Sequence, residues 1–230
     1  MVYLIPIFLH EDAIETIPAY ILDAVKQSTV FFVENEKTAR RYLKRLWKEM
    51  VIDDYQWYTI HKAEDQVLQA FAKHVLLGQN IGIISEAGCP GIADPGQVLV
   101  NKAQQMGAPV KPLVGPSSIL LALMASGMNG QQFRFNGYLP VDNMERKNAI
   151  KALEASSLKS NCTEIFIETP YRNNPLIKEL LQTCKETTLL CIAVDITAPS
   201  ETIQTKTIKQ WKQLNLDFHK RLAIFLLLGG

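Results

Sequence analysis

One apolar run followed by a long, turn-rich loop constrains the fold of this chain more than any other feature. The run Ile81–Ile84 is short and continuous, which is typical of a strand buried on both faces. The next twelve residues, 85–96, contain three glycines, two prolines and two acidic residues. A plain connection between a strand and a helix needs only about two to six residues. A long loop at the carboxyl end of a parallel strand therefore favours ligand binding over an ordinary turn.

The first half of the chain alternates strand-like and helix-like patterns. Apolar, β-prone runs occupy residues 2–9, 30–33, 57–60, 81–84 and 109–113, with helical spacing of apolar residues between them. This alternation predicts a mostly parallel five-stranded sheet with helices on both faces. Gly115 and Pro116 then interrupt the pattern. We interpret residues 113–118 as a hinge between an amino-terminal domain, 1–113, and a carboxyl-terminal domain, 114–230.

The second half alternates less regularly. Strands are expected at residues 133–136, 163–167, 189–194, 201–207 and 221–228, with a turn at 137–140 and helices at 119–125, 143–158 and 175–184. Several of these strands follow one another without a helix, which indicates antiparallel pairs in a mixed sheet. The predicted fold class is therefore two α/β domains.

Composition narrows the function without identifying it. Lys+Arg 24 against Asp+Glu 23 gives a net charge of +1, so any contact with RNA needs a local basic patch. The four cysteines have no metal-ligand spacing, and we interpret them as reduced thiols of a cytoplasmic protein. We expect no signal peptide and no membrane span, because no basic region precedes the first apolar run and residues 222–228 are too few. No dinucleotide, Walker, metalloprotease or nucleophile-elbow signature is present.

The long loop carries a family resemblance. Residues 85–96 read S-E-A-G-C-P-G-I-A-D-P-G, which resembles the S-D-A-G-T-P-x-I-x-D-P-G signature of the tetrapyrrole methylase-like superfamily. In particular, the chain resembles the branch that methylates a ribose 2′-hydroxyl in bacterial small-subunit ribosomal RNA. Further similarities follow in order: residues 3–6 to the first strand and its proline, 114–118 to P-G-P-S-A, 135–140 to Y-x-G-F-L-P, 167–172 to Y-E-S-x-H-R, and 196–202 to L-T-K-x-x-E.

Two departures from the family concern the acceptor. Residues 7–11 lack the glycine of the family's T-P-I-G-N-L loop, and the helical tail that often follows the last strand in the ribosomal RNA branch has no counterpart here. In addition, only Glu34 is kept where that branch has a Glu-Asp-Thr-Arg turn. These differences affect the expected substrate more than the expected cofactor.

The resemblance implies that S-adenosylmethionine (SAM) lies folded in a cleft between the two domains. SAM already carries an electrophilic methyl group, so the protein mainly has to align an acceptor. By position, the implied cofactor contacts are Ser85, Glu86, Ala87, Gly88, Cys89, Pro90, Ile92, Ala93, Ser117, Ser118, Phe166, Ile167, Val194 and Ala223. Cys89 replaces the usual threonine, and we interpret it as a packing residue, not a nucleophile.

A hydroxyl acceptor also needs its proton removed, and three residues at predicted strand ends are candidates. They are Glu34, His61 and Glu168. Each has a structural alternative, because the two glutamates can cap a turn or a helix and the histidine can be an ordinary loop residue. The candidates for RNA contact are basic: Arg40, Arg41, Lys44, Arg45, Arg146, Lys147 and Arg172. The alternative for these is a solvated surface charge.

The leading hypothesis is a SAM-dependent methyltransferase acting on a ribose 2′-hydroxyl of small-subunit ribosomal RNA. Two alternatives stay open: methylation of a tetrapyrrole or another small molecule, and a SAM-binding relative without turnover. The partners expected are a second copy in a homodimer and ribosomal RNA or the small ribosomal subunit. We expect no metal and no membrane association.

Overall fold

The computed structural model describes residues 1–60 and 64–230, with Glu64 described by its backbone alone. The chain forms two compact units, Met1–Ser117 and Ser118–Gly230. The division between them falls inside residues 113–118, the segment that the sequence indicates as a hinge.

The first unit contains a parallel five-stranded sheet. Its strands are β1 (Val2–Leu4), β2 (Val30–Val33), β3 (Gln56–Thr59), β4 (Ile81–Ile84) and β5 (Val110–Pro112). They lie in the order β3-β2-β4-β1-β5, and every pairing is parallel. The helices are α1 (Ile21–Gln27), α2 (Glu36–Leu46), α3 (Glu64–Leu76) and α4 (Gln97–Gln105), with short 3-10 helices at Ile14–Thr16 and Ile52–Asp54. The predicted α/β class is confirmed for this unit.

Alternate residues of the strands pack into two separate cores. Phe31 and Val33 of β2 pack with residues of α1 and α2, whereas Val30 and Phe32 pack with residues of α3 and α4. Because successive side chains of a strand point to opposite faces, helices cover both sides of the sheet. This arrangement leaves the carboxyl ends of the strands as an edge formed by loops.

Two predictions for the first unit were too long. The first strand ends at Leu4 instead of residue 9, because Pro6 has no N–H to donate and Ile7 pairs with Gly88 instead. The helical segment expected between the first two strands is divided into the 3-10 helix and α1, with Pro18 between them.

The second unit contains a mixed five-stranded sheet. Its strands are β6 (Phe133–Tyr138), β7 (Thr163–Ile167), β8 (Leu189–Val194), β9 (Thr202–Thr207) and β10 (Ala223–Leu228), in the order β6-β7-β10-β8-β9. Only β6 and β7 are parallel, and the other three pairings are antiparallel. The helices are α5 (Ser118–Ser126), α6 (Asn143–Ser160), α7 (Asn173–Thr183) and α8 (Ile208–Trp211), with a 3-10 helix at Pro170–Arg172. The predicted mixed sheet is confirmed.

Two details of the second unit differ from the sequence prediction. β6 continues to Tyr138 through an irregular register at Gly137 (φ 65°), so the expected turn at residues 137–140 is wrong in its first half. The short helix α8 was missed. It begins with a capping box formed by Thr207 and Gln210, and Trp211 fills the core beneath it.

No helix in the described ranges is long and apolar enough to cross a membrane. All four cysteines are free.

Candidate functional site

The loop after β4 is fixed to the segment that follows β1. Gly88 N donates to Ile7 O at 3.1 Å, and Ile7 N donates to Gly88 O at 2.9 Å. Gly88 has φ +71°, and a Cβ atom there would lie 3.3 Å from both Leu9 Cδ2 and Pro116 O. Only glycine fits this conformation and this space without strain. The close approach of three chain segments therefore depends on Gly88.

Asp94 holds the second half of the loop. Its carboxylate accepts the N–H of Gly91 at 2.8 Å and the N–H of Gly96 at 2.6 Å. Gly91 (φ +84°) and Ala93 (φ 59°) both lie in the left-handed region. Strained backbone that is held by surrounding contacts is often found at functional sites. Ala93 and Ile92 are exposed above this fixed turn.

Glu34 connects the loop to the neighbouring strand. It directly follows β2, and its Oε2 accepts the N–H of Glu86 at 3.0 Å. The Oγ of Ser85 is buried and donates to Ala87 O at 3.2 Å. Glu86 and Ala87 are exposed. The carboxyl ends of β2 and β4 thus present an ordered, open stretch of backbone, as expected for a ligand-binding edge.

The residues after β5 close the same edge from the other side. Gly115 packs so tightly on Pro6 that a Cβ atom would lie 2.1 Å from Pro6 Cβ. Cys89 Sγ contacts Gly115 O at 3.6 Å and Pro116 O at 3.5 Å. Burial raises the pKa of the Cys89 thiol, which agrees with a packing role and not with a nucleophile.

The predicted site residues of the first unit therefore meet at one sheet edge. Residues 85–93 lie together, and Glu34 touches them. Ser117 is half-buried at the end of the same unit, and the half-buried Ser118 begins α5. His61 lies outside the described residues.

The predicted site residues of the second unit also lie at one end of their sheet. Ile167 of β7 pairs with Ile224 of β10, and Ala223 pairs with Val194 of β8. Phe166 and Val194 are fully buried in the core. A ligand at this end would therefore meet their main-chain atoms, while Ile167 and Ala223 remain half-buried.

Glu168 directly follows β7 and pairs with Arg172, one of the predicted RNA ligands. Its Oε1 accepts the N–H of Thr169 at 2.6 Å and Arg172 Nε at 2.9 Å. Its Oε2 is buried and has no hydrogen-bond partner among the described residues. A buried carboxylate oxygen without a partner is costly, so it indicates a place where a ligand can donate a hydrogen bond.

The sequence did not indicate the β8–β9 turn as part of this edge. Asp195 (φ 49°) and Thr197 (φ 70°) both have positive φ. Asp195 accepts Arg221 Nε at 2.8 Å and Ser200 Oγ at 2.9 Å. The buried Thr197 Oγ1 has no partner in the described part of the chain, and Thr197 lines a cavity of about 350 Å³ with Ile203 and others. The resemblance of residues 196–202 to L-T-K-x-x-E was the sequence feature that could have indicated this turn.

The basic candidates on α2 are mostly engaged within the first unit. Arg40 pairs with Glu36 and lies over the Trp57 ring at 5.1 Å. Lys44 Nζ donates to Met50 O at 2.9 Å. These two side chains therefore have structural roles.

The other two arginines of α2 face the segment after β1. Arg45 donates to Glu11 O and lies 5.4 Å from the centroid of the Phe8 ring. Arg41 is 61% exposed, and its only ion pair among the described residues joins it to Glu11 at 4.0 Å. Arg41 is thus exposed and is held by a long, solvated ion pair.

Arg146 does not belong to an exposed basic cluster, which corrects the grouping made from the sequence. It is 8% exposed. Its guanidinium pairs with Glu179 and donates to Val141 O and Asn143 Oδ1. With its hydrogen bonds used inside the unit, it cannot act as a phosphate ligand. Lys147, the next residue, is exposed.

Within residues 1–60 and 65–230, no three His, Cys, Asp or Glu side chains are close enough together to hold an ion.

Comparisons with known proteins agree with this geometry. Residues 14–212 match the profile of the family described as Tetrapyrrole (Corrin/Porphyrin) Methylases. The chain is 36% identical over 141 residues to "Ribosomal RNA small subunit methyltransferase I" of Vibrio cholerae, covering 61% of this chain and 48% of that protein. The matches span about half the length of such curated relatives.

Solved structures share the fold. "Crystal structure of the methyltransferase CobJ" aligns with a TM-score of 0.65 at 15% identity, covering 100% of this chain and 94% of that one. "Crystal structure of diphthine synthase" aligns with a TM-score of 0.70 at 12% identity, covering 99% and 89%. The extent of the profile match, together with the loop at the sheet edge, shows that this chain belongs to the family of tetrapyrrole (corrin/porphyrin) methylases.

Proposed function

We propose that this protein is a SAM-dependent methyltransferase that acts on a ribose 2′-hydroxyl of small-subunit ribosomal RNA. The observation that carries the proposal is the ordered loop 85–96, found in a chain whose curated relatives are named ribosomal RNA methyltransferases. The loop exposes Glu86 and Ala87, and Gly88 allows close approach. These features fit the zwitterionic amino-acid part of SAM better than they fit a polyphosphate.

The chain's own groups have two tasks in this proposal. Bound SAM supplies a methyl group on a sulfonium, which needs no further activation. Residues 85–93 of the first unit hold the cofactor. Glu168 Oε2 and Thr197 Oγ1, both buried without partners among the described residues, accept or donate hydrogen bonds to cofactor or acceptor. Glu34 supports the loop through Glu86 N, which favours a positioning role over proton removal.

A second candidate function is methylation of a tetrapyrrole or another small molecule. The family description names corrins and porphyrins, and a net charge of +1 gives no overall attraction to RNA. A SAM-binding relative without turnover is the remaining alternative. SAM binding does not separate the two enzymatic proposals, whereas the acceptor does.

The test has two stages. Isothermal calorimetry with SAM and with its demethylated product measures cofactor binding, and a well-folded protein that binds neither would exclude the proposal. Transfer of labelled methyl groups is then measured on small ribosomal subunits and naked ribosomal RNA from a strain that lacks the protein. Labelling of RNA supports the ribosomal acceptor. Labelling of a porphyrinoid and not of RNA favours the second candidate.

We also propose that the protein is a cytoplasmic homodimer. Leu120 and Met124 lie one turn apart on α5 and are 50% and 78% exposed, so they form an apolar surface that a second copy can cover. Light scattering at micromolar concentration tests the dimer, and a monomeric mass would exclude it.

A further inference from the structure

One exposed aromatic ring lies between two basic side chains at the end of the second sheet. Tyr171 is 66% exposed. The His219 ring stands nearly perpendicular to it, with 5.8 Å between ring centroids. Lys220 Nζ lies 5.9 Å from the centroid of the Tyr171 ring. Tyr171, His219 and Lys220 together form what we call the Tyr171 patch.

The patch is built on two loops that are joined by buried hydrogen bonds. The side chain of Asn173, which is fully buried, donates to Phe218 O at 3.1 Å and to Arg221 O at 2.7 Å. Lys220 N donates to Pro170 O at 3.0 Å. These bonds fix the loop after β7 against the loop before β10. The Tyr171 ring is therefore presented on an ordered surface, which reduces the entropic cost of binding.

Backbone strain and an unsatisfied carboxylate lie beside the patch. Lys220 has φ 63°. Five non-glycine residues of the described chain have a positive φ, and three of them are Lys220, Asp195 and Thr197. Strained residues of this kind persist at binding sites where surrounding contacts hold them. Glu168 Oε2, buried and without a partner in the described ranges, lies on the same loop as Tyr171.

Lys220 supplies an exposed cation at the patch, and the exposed carboxylate of Asp217 lies two residues before His219. Among the described residues, Lys220 makes no ion pair, so its ammonium can bind a phosphate. Two of the nearby carboxylates pair with arginines: Glu168 through Oε1 with Arg172, and Asp195 with Arg221. Asp217 Oδ1 accepts Asn174 Nδ2 at 2.8 Å and the N–H of His219 at 3.0 Å.

We propose that the Tyr171 patch binds an unpaired base of the RNA acceptor, with the base stacked on the Tyr171 ring and a neighbouring phosphate on Lys220. An exposed aromatic ring beside a free cation is how proteins hold single-stranded nucleic acid. The bases of a duplex are stacked on one another, so the patch selects unpaired RNA. The inference rests on the proposed function in one respect, because it takes RNA as the acceptor.

The test compares matched variants of the full chain. Anisotropy of a labelled single-stranded RNA of mixed sequence gives Kd for the wild type, Tyr171→Ala, Tyr171→Phe and Phe133→Ala. Stacking on one aromatic ring contributes enough that its loss raises Kd about tenfold. We expect that increase for Tyr171→Ala. Tyr171→Phe keeps the ring and should stay within about twofold. Phe133 is 42% exposed at the opposite end of the sheet, so its loss should change little.

Lys220→Asn separates charge from backbone conformation. Asparagine tolerates the left-handed region, so the turn is kept while the cation is removed. The slope of log K against log salt should flatten by about 0.7 for one phosphate contact on single-stranded RNA. An unchanged slope would overturn the role of Lys220.

Three outcomes decide the inference. The inference is overturned if Tyr171→Ala binds single-stranded RNA with the affinity of the wild type. It is also overturned if the wild type binds the same RNA equally well as a duplex and as a single strand. Loss in Tyr171→Ala with retention in Tyr171→Phe supports it. Calorimetry with SAM on the same samples keeps the two proposals apart: a protein that binds RNA through Tyr171 but does not bind SAM refutes the methyltransferase and leaves the patch standing.

Discussion

Glu168 and Arg172 form an ion pair at the end of β7, with 2.6 Å between Glu168 Oε1 and Arg172 Nη2. The side chain of Glu168 is 1% exposed and that of Arg172 is 32% exposed. A buried carboxylate that loses its cation is left uncompensated. The pair therefore acts as one unit, and neither residue can be treated as an independent ligand.

Removing the cation tests this coupling. Arg172→Met should lower the free energy of unfolding by about 2 kcal/mol, less than for a fully buried pair because the guanidinium is partly solvated. The double variant Glu168→Gln, Arg172→Met should recover part of the loss, since no buried charge remains. Urea unfolding followed by circular dichroism measures both. A double variant less stable than the single one would contradict the coupling.

The sequence predicted the parts of the fold that local composition determines. Val30–Val33 and Ile81–Ile84 are continuous apolar runs with all four residues buried, and both strands were predicted with their observed bounds. The end of the first strand depends on a contact between Ile7 and Gly88, which is remote in sequence. Pro6 was the local signal for this end, but the pairing itself leaves no local pattern, and the prediction was too long.

The same distinction applies to the candidate site. The spacing of residues 85–96 indicated a binding loop, and the structure shows an ordered loop there. The burial of Arg146 depends on Glu179, which lies on a different helix. The local sequence around Arg146 therefore resembled that around an exposed basic residue. Likewise, the positive φ angles of Asp195 and Thr197 could not be predicted from the amino-acid composition of this segment.

The glycine at the centre of the loop can be tested against a matched control. Gly88 and Gly107 have similar φ angles, +71° and +64°, but a Cβ at Gly107 would meet nothing within 4 Å. Both Gly→Ala variants should lose about 1 kcal/mol of stability from the left-handed backbone. Only Gly88→Ala should weaken SAM binding, by tenfold or more in calorimetry. Equal SAM affinity of the two variants would show that the loop does not approach the cofactor.

Asp94 should control the loop through its two hydrogen bonds. Asp94→Ala leaves the N–H groups of Gly91 and Gly96 without this acceptor, which should cost about 1–2 kcal/mol. Asp94→Asn keeps one acceptor oxygen and should fall between the wild type and the alanine variant. Thermal unfolding and SAM titration measure the two effects. Alanine and asparagine variants that behave identically would argue against the two-bond support.

We expect the buried thiol of Cys184 to make the folded protein less stable at alkaline pH. Burial, followed by the charge of Glu154 and a hydrogen bond to it, raises the pKa of the Cys184 thiol to about 12. In the unfolded chain, the pKa of a cysteine thiol is about 8.5. The folded state keeps the neutral thiol, so its contribution is complete below pH about 8.5 and is lost as the pH rises from there towards 12.

Urea unfolding at pH 7 and at pH 10 checks this contribution. The free energy of unfolding of Cys184→Ala should fall less with pH than that of the wild type. The difference is at most about 1.4 kcal/mol per pH unit for one group. Parallel pH profiles of the two proteins would show that Cys184 does not contribute.

Arg41 provides the sharpest test of α2 as a surface for RNA. Its guanidinium is 61% exposed, and the ion pair to Glu11 at 4.0 Å is exposed on both sides, so a phosphate can displace it. Arg41→Ala should flatten the salt dependence of RNA binding by about 0.7 in log–log slope. Its SAM affinity should stay within about twofold, because the side chain is largely exposed and its ion pair is with Glu11. Arg45→Met is the contrasting variant: losing the bond to Glu11 O and the contact with Phe8 should release the segment beside Gly88 and weaken SAM binding as well. If Arg41→Ala binds RNA with the wild-type slope across a salt series, Arg41 makes no phosphate contact, and such contacts must come from elsewhere in the chain.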